Sequence, residues 1–275
     1  MIRISEPYRN EVVQGMSWSD YCDVDGCANP SRLVKALKSM KSFANYTGTD
    51  KPDRGMLIGS LTHQMILEPG TFEQRYAIFH ASRKTQKQLA EFEWRHEGKT
   101  PVKPEEYEQA MRTADAVLAD PLAREKLQAT VHEVTVFAED HGVQCKGRID
   151  AIGNGMLVDL KTTTNVEPDK FGRVVGTLHY GAKMACYMRW SQMLHVPVNE
   201  VFIIAVETKG DYDVAIFQVP EIVLQNGWNR VEKVLKRIPD CVRRDYWPGV
   251  GEHGPCELVI PSWSMSEDDV LDWSD

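Results

Sequence analysis

The 275-residue chain has no apolar run approaching the roughly 20 residues that cross a bilayer. Its first ten residues, MIRISEPYRN, lack the basic-then-apolar pattern of a secretory leader. A cytoplasmic protein is the expectation. Cys22, Cys27, Cys145, Cys186, Cys241 and Cys256 are scattered, and no two have the spacing of a zinc knuckle. Reduced thiols are expected, with an iron–sulfur cluster on Cys22, Cys27, Cys241 and Cys256 as a minor alternative. An excess of positive charge is also missing. Lys and Arg number 32 against 40 Asp and Glu, a net charge of −8. Bulk charge will not coat nucleic acid here, so any DNA contact must come from a local basic lining. Residues 265–275 hold five acids and no base, so much of the acidity is a tail. Gly98-Lys99-Thr100 lacks the earlier glycine and the preceding strand of a phosphate-binding loop. No nucleophile elbow is found, and no internal repeat.

What is present suits a folded protein of one or two domains, at 42% hydrophobic and 26% charged residues. Residues 1–54 read as irregular, with a basic helical piece at 32–41. Residues 55–67 (GMLIGSLTHQMIL) read as a helix, because Ile58, Leu61, Met65 and Ile66 recur at helical spacing and Glu68-Pro69-Gly70 ends the run. Residues 80–104 are polar and basic. Residues 105–128 read as one or two helices broken near Asp120-Pro121. The period then shifts to strands at 132–138, 143–152 and 156–162, the last two joined by a Gly153-Asn154-Gly155 turn. Helix is expected at 178–194 and 221–237, and strand at 201–207 and 212–219. The fold class is α/β (α+β), a central mixed sheet flanked by helices, with a helical N-terminal region.

The most informative stretch is GRIDAIGNGMLVDLKTTT, residues 147–164. Asp159 and Lys161 lie two apart on one strand and share a face, while Met156, Val158 and Leu160 take the other. The glycine turn folds Asp150 back towards Asp159. Two converging carboxylates repel each other unless a cation lies between them, and such an oxygen-lined site suits Mg²⁺ or Mn²⁺. A lysine beside the metal can orient or deprotonate water, or stabilise charge developing on a phosphate. Alone, an Asp-x-Lys strand is more often a solvated face; Asp150 one hairpin upstream evens the balance.

This arrangement resembles the PD-(D/E)XK nuclease superfamily, and the fuller likeness is to its RecE-like branch, the exonuclease VIII type of phage and prophage enzymes. The markers are GSLTHQMILEPGTF (59–72), GKTPVKPEEYEQ (98–109), the Glu133 strand, GRID (147–150), VDLKTT (158–163), the helix bearing Tyr187, WPG (247–249) and IPSW (260–263). The resemblance implies a single nuclease domain over 1–275, with its core at 55–263 and the acidic tail at 264–275. It implies a metal held by His63, Asp150, Asp159 and the Leu160 carbonyl, with Mg²⁺ as cofactor and Mn²⁺ as substitute. It implies Lys161 as the catalytic lysine and Glu133 as the upstream glutamate. The helix after the lysine strand usually carries a glutamine four residues before its tyrosine. Here Tyr187 is preceded by Lys183, a cation in place of an amide. Arg83, Lys84 and Lys87, with Lys183 and Tyr187, are the expected DNA contacts; Lys170 and Arg173 are further candidates, and Trp94 stacks on a base or packs. The activity implied is 5′ to 3′ digestion of linear double-stranded DNA, leaving 3′ single strands for recombination in a bacterial or phage-infected cytoplasm. A ring-shaped homo-oligomer and a single-strand annealing partner are implied too. The alternatives are a RecB-like or repair nuclease, an endonuclease, or an inactive DNA-binding module of the same fold.

Overall fold

The computed structural model describes residues 10–48, 53–80, 86–252 and 254–260. The chain opens with β1 (Glu11–Val13), α1 (Trp18–Asp23), α2 (Pro30–Ala36), α3 (Met40–Ala44), α4 (Arg54–Leu67) and α5 (Phe72–Arg75). A small parallel pair, β2 (Tyr76–Ile78) and β3 (Thr100–Val102), brackets α6 (Gln86–Arg95). Next come α7 (Pro104–Ala119), α8 (Pro121–Gln128), β4 (Val131–Asp140), β5 (Val143–Gly153) and β6 (Met156–Thr163). The chain continues through α9 (Pro168–Thr177), α10 (Tyr180–Met193), β7 (Glu200–Glu207), β8 (Val214–Gln218) and α11 (Glu221–Arg244). The main sheet has the order β1-β4-β5-β6-β7-β8. All its pairs are antiparallel except β6 with β7, which the α9–α10 crossover makes parallel.

Local chemistry explains the element boundaries. Asp53 caps α4 by accepting from the Met56 N–H at 2.8 Å. Asp120 ends α7 and caps α8, accepting from the Ala123 N–H at 2.7 Å, with Pro121 in the first turn of the new helix. The sheet buries both faces. One packs Leu157, Ile203 and Ile149 with Trp190, Leu235 and Phe43. The other packs Val158, Leu160 and Ile204 with Ile66, Val117 and Leu127 from α4, α7 and α8. Burying both faces, with β7 paired along the whole of β6, lets Asp159 and Lys161 project from a firmly held strand.

Several expectations need correction. The described part of the chain before residue 54 is more ordered than one basic helical piece at 32–41. It holds β1 and three short helices, and it is fixed to β5 by buried cations. Lys146 Nζ donates to the Tyr21 and Val24 carbonyls at 2.6 and 2.7 Å. Arg148 Nη1 donates to the Met16 carbonyl at 2.7 Å. The helix expected over 178–194 starts only at Tyr180, because His179 adopts a left-handed conformation (φ 54°) and separates it from α9. The last helix runs on to Arg244, with Pro239 inside it. Residues 261–275, including the end of IPSW and the acidic tail, lie outside the described residues. Among the described residues, no helix is long and apolar enough to cross a membrane.

Gly147 of the GRID stretch is fixed by a packing demand. A Cβ there would meet the Tyr187 ring at 2.8 and 2.9 Å and Val136 at 3.3 Å. The Tyr187 ring is thus packed closely against β5 at Gly147. Gly147→Ala must displace the ring, and overpacking of this kind costs about 1–3 kcal/mol. Urea unfolding should show a lower midpoint with an unchanged slope; a midpoint equal to that of the native chain would show that the ring gives way freely.

Candidate metal centre

The site is built where the β-ladder fails. Between β4 and β5 the register runs from Val131↔Ile152 to Asp140↔Val143, but the pair that would join Glu133 to Asp150 is missing. Glu133 has φ 52°, a left-handed conformation that costs a non-glycine residue about 1–2 kcal/mol. Between β5 and β6 only Ala151↔Val158, Ile152↔Leu157 and Gly153↔Met156 pair, so the ladder stops just short of Asp150 and Asp159. Asp150 Oδ2 accepts from the Leu160 N–H at 2.8 Å, replacing the absent strand carbonyl. Strained backbone and a broken ladder in the middle of a sheet are features that structures retain at functional sites.

α4 brings His63 into this gap. Gly59, one turn earlier on the same helix face, lets α4 lie close on β6, since a Cβ would meet Thr162 Oγ1 at 2.9 Å. His63 Nδ1 is 3.6 Å from Asp150 Oδ2. Ligand atoms of His63, Glu133 and Asp150 all lie within 4.8 Å of one another. Burial, reinforced by Lys161, pushes the His63 pKa down to about 4, so the imidazole is neutral and competent to bind a metal. Burial, with Asp150 adding to it, pushes the Glu133 carboxyl up to about 7. Asp150 and Asp159 are raised as well, first by burial.

Asp159 lies beside this trio and is 3% exposed. It forms an ion pair with Lys161, although its Oδ2 has no donor aligned for a hydrogen bond. Lys161 Nζ donates to the Leu160 carbonyl at 3.1 Å and lies 5.3 Å from the centre of the Tyr180 ring. Burial works against the charge on Lys161, but Asp159 and Asp150 outweigh it and hold the ammonium firmly protonated. Arg148 forms ion pairs with Glu133 and Glu68. The contacting groups are four carboxylates, two cations and a neutral imidazole, which leaves two negative charges when all the acids are ionised. A hard or borderline divalent ion suits this oxygen and nitrogen donor set. The raised carboxyl pKa values mark buried acids, whose ionised forms such an ion would stabilise.

The structure therefore brings His63, Glu133 and Asp150 together, with Asp159, Lys161 and the Leu160 carbonyl alongside. A cleft of about 430 Å³ opens over them, lined in part by Trp18, Glu68, Arg75, Glu133, Asp150 and Lys161. Lys183 and Tyr187 do not line it. Lys183 flanks the same Tyr180 ring at 5.5 Å, and burial together with Lys161 lowers its pKa to about 8. The Tyr187 ring lies on Gly147. Arg83 and Lys84 lie outside the described residues; Lys87 is on the first turn of α6. Lys170 is ion-paired with Glu167 at 2.8 Å, and Trp94 is 82% exposed. All six cysteines are free, and none joins a metal-sized cluster among the described residues. Sequence reasoning did not assign Glu68, Arg148, Trp18 or Arg75. Glu68 and Arg148 stood inside the quoted LEP and GRID stretches, but nothing in the spacing showed that they pair.

Fold and site together define a PD-(D/E)XK-like protein. The chain belongs to the family described as PDDEXK-like domain of unknown function (DUF3799), whose profile matches residues 17–260. A chain from Eubacterium rectale, named as a candidate exonuclease, superposes with a TM-score of 0.60 at 14% identity, over 90% of this chain and 97% of its own. A phage-related exonuclease from Haemophilus somnus 129PT is 15% identical over 78% of this chain and 96% of its own. Its TM-score of 0.33 is too low to add to the fold argument. No curated protein matches.

Two outcomes follow for Glu133. Protons compete with a metal for its carboxylate, so Mn²⁺ affinity should rise between pH 6 and 8 as the group ionises through about 7. His63 stays neutral across that window. Glu133→Gln should flatten the rise in a calorimetric titration. Glu133→Gly should bind Mn²⁺ weakly, and relief of the left-handed backbone should offset part of the cost of leaving Arg148 Nε without its partner. An Mn²⁺ affinity independent of pH in the native chain would place Glu133 outside the metal shell.

Proposed function

We propose that the chain is a metal-dependent DNA exonuclease that hydrolyses phosphodiesters of linear double-stranded DNA. The convergence of His63, Glu133 and Asp150 beside the Asp159–Lys161 pair, in an open cleft, is the observation that carries this reading. His63, Glu133 and Asp150 would hold a Mg²⁺ or Mn²⁺ ion, with Asp159 and the Leu160 carbonyl within reach. When bound, such an ion polarises a phosphoryl oxygen and acidifies water. Lys161 is held as an ammonium, which suits it to orienting water and stabilising charge on the phosphate rather than taking a proton. The family membership and the name of the Eubacterium rectale relative support a nuclease.

The finer reading is 5′ to 3′ digestion that leaves 3′ single strands for recombination by strand annealing. It carries with it a ring-shaped oligomer threading the duplex, an annealing protein as partner, and phosphate contacts from Arg83, Lys84, Lys87 and Lys183. On this reading the nuclease is one domain to which the segment before residue 54 contributes a wall of the cleft.

Linear duplex labelled at either end, compared with closed circular DNA in Mg²⁺, Mn²⁺ or EDTA, tests it. Cleavage should need the metal, spare the circle and release label first from the 5′ end. Asp159→Ala should abolish turnover. Lys161→Ala should lose about 100-fold or more in rate, with far less effect on DNA affinity. Cutting of the circle would make the protein an endonuclease. Undiminished turnover in Asp159→Ala would overturn the assigned site.

A further inference from the structure

Arg148 is a buried cation at the edge of the metal centre, 7% exposed, and the chemistry described so far gives it no role. Three of its N–H groups are committed. Nε donates to Glu133 Oε2, Nη2 to Glu68 Oε1 at 3.1 Å, and Nη1 to the Met16 carbonyl at 2.7 Å. The guanidinium is a rigid planar fork, so these three bonds fix the direction of each partner in a way an ammonium cannot. One partner, Glu133, sits on a left-handed backbone and supplies a ligand atom to the cluster with His63 and Asp150.

We propose that Arg148 is a positioning residue of the metal centre: it holds Glu133 towards His63 and Asp150, and Glu68 balances its charge. The inference rests on the metal-dependent reading above. A single Glu133–Arg148 pair would be electrically neutral, and its glutamate would attract a divalent ion weakly. The second carboxylate, Glu68, restores a net negative charge to the trio, so Glu133 is oriented by Arg148 without being cancelled by it. Glu68 is delivered by the end of α4, the helix that also carries His63. The Met16 bond ties the N-terminal segment to the same guanidinium. Partners that orient a metal's ligands in this way typically contribute 10–100-fold to metal affinity or activity.

Mn²⁺ binding to Arg148→Lys and Glu68→Gln, followed by the paramagnetic resonance of free Mn²⁺, tests the proposal alongside urea unfolding. Arg148→Lys keeps the charge and removes the fork; its Kd for Mn²⁺ should rise about 10–100-fold. Glu68→Gln keeps the shape and removes the balancing charge; its Kd should rise about tenfold. DNA affinity in EDTA should not fall in either variant. A merely structural Arg148 would instead lower the urea midpoint and leave Mn²⁺ affinity of the folded protein intact, which overturns the proposal. Should Arg148→Lys not fold, Glu68→Gln decides, and native Mn²⁺ affinity there overturns it. A native chain that binds Mn²⁺ but cuts no DNA would overturn the nuclease reading and leave this role of Arg148 standing.

Discussion

The rest of the site depends on Asp150 losing its ladder partners on both sides. A residue in the third strand of a six-stranded sheet normally has its backbone paired with both neighbours. At this position the left-handed Glu133 breaks the β4 side, and the β6 side ends one pair short. The resulting notch is where a carboxylate replaces a carbonyl and where α4 can insert an imidazole. Buried carboxylates at such close quarters cost several kcal/mol each unless they are paired. Lys161 and Arg148 cover part of that cost, and the remaining two negative charges are what a divalent cation would neutralise.

That arrangement survives because the hydrophobic load is carried elsewhere. The sheet is packed on both faces, by α4, α7 and α8 on one side and by α2, α3, α10 and α11 on the other. β6 pairs with β7 over its full length, from Met156↔Glu200 to Thr163↔Glu207. The strand bearing Asp159 and Lys161 is therefore held by its parallel neighbour while its antiparallel neighbour is peeled away. A lysine and an aspartate fixed on such a strand have little freedom to separate, which keeps Lys161 protonated.

Much of this was legible in the sequence because its signals are local. Alternation gave β4, β5 and β6, two glycines around Asn154 gave the hairpin, and Asp120-Pro121 gave the break between α7 and α8. The likeness carried by GRID, VDLKTT and the His63 helix pointed to the PD-(D/E)XK fold. What escaped the reading lacks a local signal. The one basic helical piece read at 32–41 is in fact parts of two helices, and the helices before residue 45 run only five to seven residues, too short for a period to fix their bounds. His179 breaks a helix with neither glycine nor proline. Arg148 is separated along the chain by 80 residues from Glu68 and by 132 from Met16. Contacts at that range arise only once the sheet has formed.

The same long-range pairing bears on how an acidic chain could hold DNA. Lys161 and Arg148 are turned inward on carboxylates, so neither is free to act as an ordinary phosphate contact. Arg75 differs. It lines the cleft, lies over the rings of Trp18 and Tyr76 at 5.0 and 5.4 Å, and forms no ion pair among the described residues. Aromatic rings hold a guanidinium in place without cancelling its charge. On the proposed reading, Arg75 therefore offers the cleft a positive charge that no carboxylate among the described residues pairs with. A phosphate entering the cleft would be drawn by Arg75 and repelled by the acids until a divalent ion intervenes. Occupation of the site by metal and by DNA should then be coupled, through the electrostatics of the cleft itself rather than through any movement of the fold.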